Sequence, residues 1–220
     1  MIKRIRFATR NKDIPADVFA HAWPGQAALG APEEVRPVRT AVCTTLPGLT
    51  GPAPRHDGLV IDWFTGEAQL RAFEEWLGTQ EGDRVLDPGA SPVVVAAESV
   101  LRGADWLERR WSCGGGKFKH MAVAVRAGGL SPAAFSDRWR NHAGRAGSGV
   151  VIPDQARGLA YVQNHPVTGE RAYDAVNEVY FDDVAGLRTR IDWFRDNLGE
   201  PEDFIGESWF LAVREEMVTY

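Results

Sequence analysis

The stretch Ser131-Pro-Ala-Ala-Phe-Ser-Asp-Arg-Trp-Arg-Asn-His142 restates, 116 positions on, the stretch Pro15-Ala-Asp-Val-Phe-Ala-His-Ala-Trp-Pro-Gly-Gln26, with Phe135 and Trp139 answering Phe19 and Trp23. One module written twice accounts for the match. Its end carries a difference: Gln26 stands where the second copy has His142, and only the imidazole exchanges protons near neutral pH.

Working outward, Ser131 and Pro132 supply an N-cap and a proline at the first helical position, predicting a helix from about Pro132 to Ala146. Strand patterns at Phe118–Arg126, Arg157–Asn164, Tyr173–Phe181 and Phe204–Arg214, with a second helix at Asp183–Leu198, complete a βαββαβ order. The first half repeats it with Ile2–Ala8, Pro15–Leu29, Val38–Leu46, Gly58–Phe64, Gly66–Leu77 and Pro92–Val100. On the third strands, His56-Asp57 answers Tyr173-Asp174 at an offset of 117. The expected division is a module at 1–103, a linker at 104–116 with a glycine-rich hinge, and a module at 117–220. Gly114-Gly-Gly-Lys117 lacks the spacing of a phosphate loop and precedes a strand, where such a loop would follow one.

Composition narrows the function classes. The 220 residues are 44% hydrophobic and 25% charged, with a net charge of −5 and no basic stripe, so a nucleic-acid partner is not expected. Met1-Ile-Lys-Arg-Ile-Arg6 runs straight into alternating residues without an apolar leader, and no stretch approaches the roughly 20 apolar residues of a membrane span. A cytoplasmic protein with no membrane association is expected. Cys43 and Cys113 lie in different halves without paired spacing, which argues against a disulfide or a structural metal.

A βαββαβ unit covers one sheet face with helices and leaves the other bare. Two units in one chain are expected to pack bare face to bare face as an α+β pseudo-dimeric barrel of tandem ferredoxin-like modules, with helices outside and a cavity within. Here the sequence resembles the EthD-like branch of the dimeric α/β-barrel superfamily. The resemblance rests on Phe135-x-x-x-Trp139-x-x-His142 after a strand, on Tyr173-Asp-Ala-Val-Asn-Glu-Val-Tyr-Phe-Asp182, and on Phe204 with the strand after it. The first half keeps Phe19, Trp23, Asp57 and Phe64, but has Ile61 where Glu178 stands. The resemblance implies a cavity for hydrophobic, often aromatic or polyketide-derived molecules, and a histidine at position 142. Relatives with this look include cofactor-free monooxygenases, cyclases, dehydratases and lactone isomerases.

Strand alternation supplies further candidates. It puts Lys119, Met121 and Val123 on one face of their strand, and Phe118, His120 and Ala122 on the other. Alignment of the copies matches Ile5 and Phe7 with Met121 and Val123. Taking these four as helix-facing core points His120 into the barrel, where Arg4 stands in the first copy. His142 and His120 then form the expected acid/base pair, with Glu178 placed to orient His120. A helix-terminal role explains His142 as well. Tyr161, Trp139, Tyr180 and Asn141 are candidate substrate contacts. Helix-to-sheet packing explains Trp139 better, and Val42 is taken as the counterpart of Tyr161. Asp174, shared with Asp57, reads as structural, and His56, His165 and His21 as exposed.

His120, His142 and His165 are spaced by 22 and 23 residues without a ligand motif, so neither metal nor cofactor is expected. The expected function is cofactor-independent lyase or isomerase chemistry, as in a dehydratase or cyclase, on a hydrophobic small molecule. The alternatives are a cofactor-free monooxygenase acting on a phenol, a non-catalytic binding protein, and a haem protein of the chlorite dismutase-like kind, which also carries two modules per chain. A homodimer of two-module chains is expected.

Overall fold

The first half of the chain folds as β1 (Ile2–Ala8), α1 (Ala16–Ala27), β2 (Arg39–Thr45), β3 (Gly58–Phe64), α2 (Glu67–Leu77) and β4 (Val93–Arg102). A connecting helix, α3 (Ala104–Cys113), leads into β5 (Lys117–Arg126), α4 (Pro132–Asn141) and the one-turn α5 (Asp154–Arg157). Then come β6 (Ala160–Pro166), β7 (Ala175–Phe181), α6 (Val184–Asn197) and β8 (Ile205–Met217). This computed structural model describes residues 1–27, 30–80, 85–113, 116–141, 151–167, 172–199 and 202–218. His142 and the expected continuation of α4 to Ala146 lie outside the described residues. No described helix is long and apolar enough to cross a membrane.

All eight strands pair antiparallel in a closed barrel, in the order β1-β3-β2-β8-β5-β7-β6-β4. Each half contributes four neighbouring strands in the same internal order, fourth-first-third-second, and the β2–β8 and β4–β6 ladders join the halves. Closure of this kind removes the unpaired edges that an open sheet presents. Local packing repeats with the topology. Phe19 stacks on Trp23 with ring centroids 5.4 Å apart, and Phe135 on Trp139 at 5.5 Å. Arg10 grips Asp57 through its backbone N–H and its guanidinium, and Arg126 grips Asp174 in the same way, at the start of the third strand of each half.

The faces of the strands are the reverse of the expectation. Ile5, Phe7, Met121 and Val123 line the bore together with Leu59, Ile61, Leu211 and Val213, all fully buried. His120 points outward to α6. An eight-stranded barrel has an interior just wide enough for side chains to fill, so the most apolar faces go inside and pack there. In place of the expected cavity, the bore holds packed side chains. Helices cover the outer face, and β3 and β7, which have the bore on one side and helices on the other, are buried at every position.

The connecting helix does more than link. From α3, Leu107 packs on Val162 and Tyr180, Trp106 faces the Tyr180 ring at 5.8 Å, and Trp111 meets Trp63 edge-on at 6.1 Å. It plugs one end of the bore. The inward placement is tested by Met121→Ala, expected to lower the unfolding free energy by about 2–5 kcal/mol in urea titrations. A cost below about 1 kcal/mol would contradict a bore position.

Candidate functional site

Two polar clusters and one relay gather many of the buried polar side chains among the described residues. The first cluster occupies the plugged end of the bore. Lys3 and Lys119 are counterparts 116 residues apart, and both point inward from the first strand of their halves. Lys3 contacts Glu98 at 2.5 Å and Glu178 at 2.7 Å; Lys119 contacts Glu178 at 2.6 Å and also Glu215, which Arg110 of α3 reaches from outside. Three cations thus face three anions with almost no solvent exposure. Glu178 also accepts from Asn164 Nδ2 at 2.9 Å and Tyr180 Oη at 2.8 Å.

Burial alone would raise the Glu178 carboxyl, but Lys119 and Lys3 outweigh it and hold the group well below the usual carboxylate range. A carboxylate so fully engaged has no proton to trade. It neither touches nor orients His120, because the β5–β7 register sets Glu178 beside Met121 and His120 beside Val179, on the opposite face. The expected His120–Glu178 pair is therefore replaced by a lysine clamp. Tyr180, a candidate substrate contact, is spent on the same network. Burial pushes the nearby Cys43 thiol up to about 12, which removes thiolate chemistry at neutral pH.

The relay sits elsewhere in the core. His56 Nε2 lies 2.6 Å from Tyr173 Oη, and Nδ1 lies 2.8 Å from Thr9 Oγ1, whose own proton goes to the Ala90 carbonyl at 2.7 Å. The hydroxyl can then only accept from Nδ1–H, so Nε2 accepts the Tyr173 proton. His56 is 3% exposed and His165 9%, against the expectation that both are exposed. Burial, aided by Arg55, lowers His56 to about 4. His21 is exposed on α1.

The second cluster lies between the outer sheet face of the second half and its helices. His120 Nδ1 accepts from Arg190 Nε of α6 at 3.0 Å, and Arg190 Nη1 donates to the Ala156 carbonyl at 2.7 Å. Phe194 and Phe210 wall the imidazole, with centroids 5.6 and 4.7 Å away. Beside it, Asn177 Nδ2 donates to Tyr161 Oη at 3.0 Å, Gln163 Nε2 to the same oxygen at 3.3 Å, and Trp139 Nε1 to Asn177 Oδ1 at 3.1 Å. His120, Tyr161 and Trp139 thus share one face. Asn141, in contrast, is exposed and spends its amide on the Asp137 carbonyl of its own helix, at 2.9 Å.

Burial and then Arg190 hold His120 well below its ordinary value, so the ring is neutral. A neutral imidazole has one lone pair, and Arg190 takes it at Nδ1. The ring proton therefore sits on Nε2, which makes His120 a hydrogen-bond donor rather than the expected base. For the same reason it does not fit a metal or a haem iron, which needs a free lone pair on the coordinating nitrogen. Among the described residues, no three His, Cys, Asp or Glu side chains group to hold a metal.

The first half supplies an internal control. The ladders pair Arg4 with Asp62 and His120 with Val179, and pair Thr40 with Asp62 and Tyr161 with Val179. Thr40, not Val42, is thus the counterpart of Tyr161. Arg4 rests 3.5 Å from Asp62, which also accepts from Thr40 at 2.8 Å. A crevice of about 20 Å³, room for about one water, lies beside them, lined by Arg6, Val60, Phe73 and Leu77 among others.

Arg190, Asn177, Gln163 and the two lysines were missed from sequence. Signals existed for some. The lysines recur at the repeat offset, and Arg190 shares the stripe of Leu187, Ile191 and Phe194 that α6 turns to the sheet.

No family model matches the chain, and no curated protein matches it in sequence. Among solved structures, it is similar to a candidate monooxygenase from Lactobacillus acidophilus, with 8% identity and a TM-score of 0.47 over 99% of this chain and 95% of that one. It is similar also to a candidate monooxygenase from Fusobacterium nucleatum, at 8% identity and a TM-score of 0.48 over 99% and 92%. A chlorite dismutase variant from Candidatus Nitrospira defluvii matches at 11% identity and a TM-score of 0.46 over 96% and 90%.

Two stability measurements follow. Glu178→Gln leaves the two lysines short of a counter-charge and is expected to cost about 3–5 kcal/mol of unfolding free energy. A loss under about 1 kcal/mol would mean that the clamp is not closed in solution. Acidification tests the buried histidines. Folding holds His56 down from 6.5 to about 4, so its contribution is complete above 6.5 and drains away as pH falls toward 4. Urea midpoints at pH 7 and pH 4.5 are expected to show this fall, and His56→Gln to reduce it.

Proposed function

We propose that this chain is a cofactor-independent enzyme of the dimeric α/β-barrel type, with two ferredoxin-like modules at 1–103 and 117–220 joined by 104–116. Its substrate is a hydrophobic, aromatic or polyketide-like small molecule, taken at the helix side of the second module. The observation that carries this reading is the buried, neutral His120, fixed by Arg190 as an Nε2–H donor on the same face as Tyr161.

Donors preset in a dry, aromatic-walled compartment do their work where negative charge develops on oxygen. Removal of a proton next to a carbonyl creates such a charge as an enolate. Dehydration, cyclisation and isomerisation that begin with loss of a proton next to a carbonyl pass through one, which favours a lyase or isomerase. The base in this scheme is His142, in the role its sequence position suggests. Deprotonation of a phenol gives an anion of the same kind, and the same donors would hold it for attack on dioxygen, so cofactor-free monooxygenation is the second reading.

Turnover by His120→Ala is expected to fall by about 10²–10³, the usual loss for one oxyanion donor, and by a comparable factor for His142→Ala. Unchanged turnover in both variants would defeat the site. Product formation under argon and under air separates the two chemistries, since a lyase or isomerase runs equally in both.

A further inference from the structure

Arg190 presents a charge problem that the duplicated first half solves differently. The N-caps of α2 and α6, Gly66 and Asp183, are counterparts 117 residues apart, so Phe73 answers Arg190 and Glu74 answers Ile191. In the first half the buried cation is Arg4, on the strand above Phe73. Two carboxylates neutralise it, Asp62 at 3.5 Å and Glu74 at 3.7 Å. In the second half the cation sits on the helix as Arg190, 8% exposed, and both carboxylate positions are apolar, Val179 and Ile191. Among the described residues, Arg190 meets a neutral imidazole and a carbonyl but no carboxylate. The stretch 142–150, which follows α4, holds no Asp or Glu.

A buried guanidinium without a counter-charge is costly, and the module has a ready remedy in its own first copy. Keeping the cation while losing both anions makes sense if the anion arrives from outside. A flat skeleton suits these surroundings, because the guanidinium stacks 4.3 Å over the Phe194 ring and the rings of His120, Phe194 and Phe210 pack against one another. We infer that Arg190 receives an oxyanion of the ligand, a carboxylate or enolate on a flat apolar skeleton. This deepens the proposed function and rests on it for the location of the substrate. Restoring the first-half pattern by Val179→Asp would place a carboxylate next to the cation and fill the site from within.

Calorimetric titration of the full-length protein with benzoate, salicylate and 1-naphthoate, each beside its neutral amide, tests the inference. At least one carboxylate is expected to bind about tenfold or more tightly than its amide. That preference is expected to vanish in Arg190→Met and in Val179→Asp, with folding of each checked by circular dichroism. Equal binding of every acid and its amide would overturn the proposal, as would a preference that survives in either folded variant. If neither variant folds, the wild-type comparison alone decides. Carboxylate preference without turnover of any substrate would sink the enzyme reading and leave the anion site standing. Turnover that Arg190→Met leaves unchanged would do the opposite.

Discussion

A closed barrel of eight strands must fill its bore, and this one places three cations and three anions at the plugged end of it. Charges so far from water persist only when matched in number and geometry. Lys3 with Glu98 and Lys119 with Glu215 are the same pair written once in each half. Glu178 lies between the two lysines and binds both, so it ties one half to the other. Its addition leaves the four repeated charges one negative in excess, and Arg110 from the connecting helix restores the balance at Glu215. The helix that joins the halves in sequence thus also completes their charge balance in space.

Two matching halves meet at a pseudo-twofold axis, and residues near it face their own counterparts. His56 and Tyr173 are such a pair, 117 positions apart and hydrogen bonded at 2.6 Å. A second histidine at position 173 could not accept and donate with the same directionality unless its tautomer were opposite. The difference between the two positions gives the contact a defined donor and acceptor. In the same way Glu178 has no acidic counterpart, because one carboxylate suffices between two lysines.

Freedom to change is greater where a side chain faces a helix, since there each half packs mostly on itself, with Leu46, Leu49 and Val218 crossing over. The first half spends that freedom on an ion pair, Arg4 with Asp62, capped by Thr40. The second places a neutral histidine, a tyrosine and an arginine that meets no carboxylate among the described residues at or beside the equivalent positions, against aromatic walls. The first arrangement carries its own counter-charges. The second keeps its donors buried and has Val179 and Ile191 where the first has its two carboxylates.

Repetition, element order and the placement of nearly every strand were legible in the chain, because the two-residue and 3.6-residue periods of apolar side chains are local properties. So was the structural role of Asp57 and Asp174, which recur together with their arginines. Alternation also sorted the side chains of β5 correctly into two sets. Which set faced inward was expected the wrong way round, and that choice decides the site: closure moved His120 from the bore to the helix side and gave Glu178 to Lys3 and Lys119. Inward and outward are defined only when the ladders close, through the β2–β8 and β4–β6 pairings between residues 59 or more positions apart. Partnership follows the same rule. By itself the sequence determined the element order of each half; the tertiary structure decided which charges cancel and which cation meets no carboxylate among the described residues, because neutralisation depends on distances that closure alone sets.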